Sequence, residues 1–99
     1  MNWKQRAQRT LELERHAIAQ LVARLDNAFE AVGERILQLQ GRVVMTGIGK
    51  SAIIAQKLVA TFNSTGTPAV FMHAADAIHG DLGLVQKHDV VICISKSGN

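Results

Sequence analysis

The feature that most constrains this chain is a change of period at Gly41. Before it, apolar residues recur at Ile18, Val22, Leu25, Phe29, Val32, Ile36 and Leu39, in alternating steps of four and three. That spacing makes one stripe along a helix. After it come three short β-branched or apolar runs, Arg42–Thr46, Ala69–His73 and Asp89–Ile94, separated by turn residues and by one further helical stretch. Such runs predict buried strands, and strand–helix–strand alternation with short turns predicts right-handed crossovers and a parallel sheet.

Within this frame the expected elements are a helical region over 2–40, with Asp26–Asn27 placed to cap a second helix, and Gly41 as its C-terminal stop. Strand 42–46 follows, then a helix from Ser51 to about Asn63 with Ile54, Leu58 and Phe62 on one face. Ser64–Pro68 is a turn, 69–73 a strand, 75–78 a short helical or irregular piece, and 89–94 a strand. The division is a helical region, 1–40, and the first βαβ units, 41–99. A third strand that ends in a small-residue loop with no covering helix after it would be a poor domain alone, so the expectation is an N-terminal portion of a longer protein. The long stripe either covers the sheet of its own chain or packs partly on another subunit.

Composition narrows the function. The chain has 99 residues, enough for one small domain, and 47% hydrophobic residues, too many for a disordered one. Its 11 basic and 8 acidic residues are interspersed, so no concentrated patch points to nucleic acid. The one cysteine, Cys93, excludes an internal disulfide and, lying in an apolar run, reads as a small core residue. No apolar run approaches the roughly 20 residues that span a bilayer, and no signal-peptide pattern opens the chain. A cytoplasmic protein with no membrane partner is expected.

Two loops carry the chemistry. Gly47-Ile48-Gly49-Lys50-Ser51 follows the first strand and Ser95-Lys96-Ser97-Gly98-Asn99 follows the third. Small-residue loops at strand C-termini are where open α/β sheets bind ligands, and free N–H groups at a helix start attract anions. A Walker A reading fails, because Val44 stands where its first glycine belongs. Gly47, Gly49 and Ala52 fit a dinucleotide glycine pattern, but the acid expected about 20 residues on has only Asp76 as a candidate. What remains is a cradle for a small phosphorylated molecule, with the bland alternatives of a ligand-free tight turn and a merely polar loop. Lys50 suits a phosphate or a developing oxyanion. Of four histidines, His16 and His88 read as solvated. His73 ends the second strand at the same sheet edge as the loops, and His79 lies in Ile78-His79-Gly80-Asp81-Leu82-Gly83. Imidazole suits proton transfer near neutral pH.

Together, Gly-Arg-Val-Val-Met-Thr-Gly-Ile-Gly-Lys-Ser (41–51), Ser-Thr-Gly-Thr-Pro (64–68), His-Gly-Asp-Leu-Gly (79–83) and Ile-Ser-Lys-Ser-Gly (94–98) closely resemble the sugar isomerase (SIS) domain of arabinose-5-phosphate isomerases, in register from about Leu11 onward. The resemblance implies an α/β, three-layer, flavodoxin- or Rossmann-like fold with a five-stranded parallel sheet, a homotetramer, no cofactor, and interconversion of D-arabinose 5-phosphate and D-ribulose 5-phosphate for the acidic sugar Kdo of lipopolysaccharide or capsule. It implies catalytic roles for Lys50 and His79. It implies substrate contacts from Gly47, Gly49, Ser51, Gly66, Thr67, His73, His79, Ser95, Ser97 and Gly98, and a dispensable zinc at His73. The family's catalytic glutamates fall after Asn99. Ala52-Ile53, Ala74, Lys96 and Asn99 depart from common family residues, which bears on sugar preference more than on reaction type. Two other classes stay open: a non-catalytic sugar-phosphate-sensing module, and an isomerase of another phosphosugar.

Overall fold

A computed structural model gives the architecture. The structure describes residues 2–74 and 81–95. The elements in chain order are α1 (Trp3–Arg24), α2 (Asn27–Leu37), β1 (Val43–Gly47), α3 (Lys50–Ser64), β2 (Ala69–His73), a 3-10 turn (Asp81–Leu84) and β3 (Val90–Ile94). The chain divides into two compact units, Met1–Glu34 and Arg35–Asn99.

In the first unit, α1 starts with a capping box. Asn2 Oδ1 accepts from the Gln5 N–H at 2.8 Å, and Gln5 Oε1 accepts from the Asn2 N–H at 3.0 Å, so two donors that the first turn would leave unpaired are satisfied. At Leu25 the backbone turns extended (ψ 124°) and the helix stops. Asp26 restarts it by accepting from the N–H groups of Ala28 and Phe29 at 3.1 and 3.2 Å, the cap expected from the sequence. Neither α1 nor α2 contains a buried residue. Among the described residues no helix is long and apolar enough to cross a membrane.

In the second unit the three strands are parallel in the order β2-β1-β3. The register aligns Val43 with Ala69 and Val90, Met45 with Phe71 and Ile92, and Gly47 with His73 and Ile94. Register partners in parallel strands share a face, so these rows form one face of the sheet. There Val43, Met45 and Ala69 pack with Ala55 of α3, and Ile36, Leu39, Val59, Phe62, Phe71, Ile92 and Ile94 close the cluster. Every residue of β1 is buried, as expected of a central strand read from a continuous apolar run. Met45, Val43 and Val44 are the largest fully buried side chains, each worth about 1.5–3 kcal/mol of hydrophobic stabilisation. The other face carries Val44, Val70 and Val91, then Thr46, Met72 and Cys93; Cys93, expected in the core, is exposed because it lies on the face opposite α3 in the outer strand of the three described.

The expected stop at Gly41 differs in the structure. The helix ends at Leu37, and Leu39 turns into the core. Gly41 is required for a different reason: a Cβ there would overlap the backbone carbonyl of His88. The expected helical piece over 75–78 lies outside the described residues.

At the N-terminal edge of the sheet, Arg42 and Asp89 clamp β1 to β3. Asp89 Oδ1 accepts from the Arg42 N–H at 2.8 Å, and Oδ2 accepts from Arg42 Nη2 at 3.1 Å and from the Gln86 N–H at 2.7 Å. Arg42 Nη2 also donates to the Leu84 carbonyl. The hydrogen bond from Gln86, then that from the Arg42 side chain, hold the Asp89 carboxyl down at about 2.

Candidate functional site

The site grows from the way β1 meets α3. Gly47 ends the strand with the chain turning back on itself. A Cβ there would stand 3.0 Å from the Ala52 nitrogen and from the Ser51 carbonyl group, so a side chain would make the α3 backbone give way by a few tenths of an ångström, and glycine takes this approach without that shift. Two residues on, Gly49 caps α3 at φ 62°, ψ −129°, a conformation that side chains rarely adopt. Among the described residues no side chain caps this helix, and the Ala52 N–H turns back to the Gly49 carbonyl at 3.1 Å. The first turn thus presents N–H donors that no described side chain caps, at the positive end of the helix dipole.

Lys50 occupies the first position of α3 and is exposed. No acid lies in that turn. A lysine there opposes the dipole, which favours anions at a helix start and disfavours cations by about 0.3–1 kcal/mol. Two positive sources side by side are a local conflict in an empty turn, and complementary once an anion sits between them. Ser51 is half-buried beside it.

Strand order fixes what meets this turn. β2 lies on one side of β1 and β3 on the other, so the connections reverse direction at β1. The C-terminal ends of β1 and β3 therefore flank a topological switch point, the usual ligand crevice of open α/β sheets. His73 sits in register beside Gly47 on one side and Ile94, followed by exposed Ser95, on the other. Neighbouring strands run about 4.8 Å apart, so one small molecule can span all three ends. The His73 ring packs edge-on against Phe71, with centroids 4.7 Å apart and planes at 79°, which restrains the imidazole at the rim.

Gly47, Gly49, Lys50, Ser51, His73 and Ser95 are thus brought to one edge. Gly66 and Thr67 are not. They precede β2, and the carbonyl of the next residue, Pro68, accepts from the Val43 N–H at 2.8 Å at the start of β1. That is the opposite edge of the sheet, about 17 Å of strand away. Their place is set by a turn: Gly66 adopts φ 96° and the Thr67 N–H returns to the Phe62 carbonyl at 2.9 Å. A substrate bound at the C-terminal edge of this chain is out of their reach. His79, Ser97 and Gly98 lie outside the described residues.

Among the described residues no group of three or more His, Cys, Asp or Glu side chains is placed to hold a metal, and the neighbouring Asp76 and His79 lie outside them, so the zinc expected at His73 stays an expectation. One residue of the site region escaped the sequence reading. Thr46 immediately precedes the first loop, and its Oγ1 is buried with no hydrogen-bond partner among the described residues. A threonine in an apolar strand reads as β-branched filler, so only its burial marks it.

The model of the SIS domain family matches residues 36–99. The chain belongs to the SIS domain family. Among similar proteins, arabinose 5-phosphate isomerase KdsD of Pseudomonas aeruginosa is 48% identical over 93 residues, covering 94% of this chain and 28% of that protein. Arabinose 5-phosphate isomerase GutQ of Escherichia coli K12 is 48% identical over 89 residues, 90% of this chain and 28% of that protein. Among solved structures, Escherichia coli CFT073 c3406 in complex with arabinose 5-phosphate superposes with a TM-score of 0.82 at 43% identity, over 96% of this chain and 52% of that one. This SIS chain therefore spans under a third of the length of the curated relatives it matches. The parallel sheet expected from the sequence is the fold these neighbours share.

Proposed function

We propose that this SIS chain carries part of the active site of an aldose–ketose isomerase that interconverts D-arabinose 5-phosphate and D-ribulose 5-phosphate. The observation that carries the reading is the switch-point row: Gly47, His73 and Ile94 aligned, with Lys50 at the start of α3 and Ser95 directly after β3. The names of the relatives and the arabinose 5-phosphate complex of the structural neighbour support the substrate class.

The reaction moves a proton from C2 to C1 of the open-chain sugar. A base removes the C2 proton, and the electron pair passes through an enediolate as the C1 carbonyl oxygen gains negative charge. C1 is then reprotonated, the C1 oxygen takes up a proton, and the C2 hydroxyl gives up its proton as the C2 oxygen becomes the carbonyl. The donor-rich α3 turn and the serines 95 and 97 hold the phosphate, and Lys50 stabilises the developing oxyanion or orients the sugar hydroxyls. His79 helps open the ring or shuttles protons. The C2 base is a carboxylate that falls after Asn99. In this reading the enzyme works in the cytoplasm, feeds Kdo synthesis, and is a homotetramer. Gly66 and Thr67, if they touch substrate, do so in the site of a neighbouring copy, because their own sheet edge faces away.

The test is Lys50→Ala in a chain of the relatives' full length, assayed by separating ribulose 5-phosphate from arabinose 5-phosphate. kcat should fall at least about tenfold, or 1.4 kcal/mol of barrier, with the melting temperature not lowered, because Lys50 is exposed and opposes the helix dipole. Unchanged turnover removes Lys50 from the mechanism. Binding of the sugar phosphate without any turnover in the unsubstituted protein would make the domain a sensing module instead.

A further inference from the structure

Thr46 lies in the central strand, one residue before the glycine that opens the β1–α3 turn. It is 7% exposed, and its Oγ1 is buried with no hydrogen-bond partner among the described residues. A buried hydroxyl without a partner gives up the hydrogen bonds it makes to water in the unfolded chain. Threonine here therefore costs the ligand-free protein stability that valine, of the same shape, would not. We propose that Thr46 is a specificity-determining residue of the phosphosugar site, whose hydroxyl pairs with a hydroxyl of the sugar when the substrate binds. This rests on the sugar-phosphate reading above and deepens it.

The sheet says from which side a ligand comes. Thr46 is on the face opposite α3, in register with Met72 of β2 and Cys93 of β3. Met72 is 5% exposed, so the β2 side is closed. On the β3 side Cys93 is exposed, and so is Ser95 two residues further on. β1 and β3 are the strands that flank the topological switch point, so the open side of Thr46 is the side of the ligand crevice. A group resting against Cys93 below Ser95 stands about one strand spacing, 4.8 Å, from the β1 backbone at Thr46, within reach of a hydroxyl on that strand.

Charge says which part of the ligand it is. The helix start and Lys50 belong to the α3 face and the rim, where the phosphate is held. Thr46 lies one row deeper, on the other face, and its same-face neighbours Val44, Met72 and Cys93 are uncharged side chains. A phosphate oxygen carried down to that row would lose its water against an apolar face, which is costly for a charged group. A sugar hydroxyl brings no charge. It also matches the threonine hydroxyl, because each can both donate and accept. Only a phosphosugar with a hydroxyl at that row pairs Thr46, so the group discriminates among sugars that share the same phosphate.

The test uses a chain of the relatives' full length with Thr46→Val, which keeps the shape and removes the hydroxyl, and Thr46→Ser, which keeps the hydroxyl. Arabinose 5-phosphate and inorganic phosphate are titrated by calorimetry, and turnover is measured separately. Thr46→Val should bind arabinose 5-phosphate about three- to tenfold more weakly. Its KM should rise in step while kcat stays within about twofold. Its affinity for inorganic phosphate should be unchanged, its ligand-free melting temperature should not fall, and Thr46→Ser should recover the sugar affinity. Equal arabinose 5-phosphate affinity in Thr46→Val and the unsubstituted protein overturns the proposal. So does an inorganic phosphate affinity that falls as far as the sugar phosphate affinity, because the hydroxyl then serves the phosphate. A lower melting temperature in ligand-free Thr46→Val overturns it too, since the hydroxyl would already be paired. Absence of turnover in the unsubstituted protein, with these affinity differences intact, removes the isomerase reading and leaves Thr46 in place. No affinity for arabinose 5-phosphate in the unsubstituted protein overturns both.

Discussion

Single residues of this chain act through what they face across the sheet. Asp89 shows it most directly. Its carboxylate is almost wholly shielded, accepts three hydrogen bonds, and is held at about 2. A carboxyl whose folded pKa lies below its unfolded value of about 3.9 adds stability above that value and loses it as pH falls toward 2. The midpoint of urea unfolding should therefore drop between pH 4 and pH 2 in the unsubstituted chain. Asp89→Asn should start lower at pH 7, because Arg42 loses its partner, and should be flatter across the same acid window. Equal slopes in both proteins would remove Asp89 from the acid response. The clamp joins positions 47 residues apart, so nothing local in the sequence announced it. Lys50 was legible, because a lysine at a glycine-rich helix start is a conflict on its face.

Between elements, the β1–α3 turn and the α3–β2 turn are built by different means. The first depends on glycine. Gly49 has open space around it but a positive φ, so Gly49→Ala meets no atom and still forces an unfavourable backbone. It should lose about 1–3 kcal/mol in denaturant unfolding and weaken sugar-phosphate binding, since the turn that aims Lys50 must shift. The second turn depends on Asn63. Its side-chain amide donates to the Ala69 carbonyl and accepts from the Ala69 N–H, both at 2.9 Å, so it pairs with β2 as a neighbouring strand would. Asn63→Ala leaves both groups part-buried and unpaired and should lose about 1–3 kcal/mol, whereas Asn63→Asp restores only the acceptor. The strands and α3 were readable from period and β-branching, and the loops from their small residues. Which sheet edge each turn occupies was not readable from motifs alone. Gly66 and Thr67 match a substrate-contacting pattern, and chain direction puts them at the N-terminal end of β2, opposite the β1–α3 turn of the same chain. Motif matching carries residue identity without direction, and parallel pairing supplies the direction.

Across the whole chain, burial is concentrated in one strand and absent from one unit. β1 is wholly buried and is paired on both sides, while α1 has no buried residue and α2 reaches the core only through the half-buried Ile36. Opening free energies follow buried contact, so amide hydrogen exchange should rank the elements. The amides of Val43–Gly47 should exchange slowest, near the global unfolding limit. The edge strands should come next, protected on the side that faces β1. In α1 the hydrogen bonds are local and no residue is buried, so the helix opens easily despite its capping box. Its amides should exchange quickly in dilute protein and become protected as concentration rises, while those of β1 stay unchanged. That concentration dependence separates the two ways of covering an apolar helix. A stripe covered by its own chain gives protection in α1 that is independent of concentration. A stripe covered by a second copy gives protection that tracks the fraction associated, and Ile18→Asp should abolish it in α1 and leave it in β1.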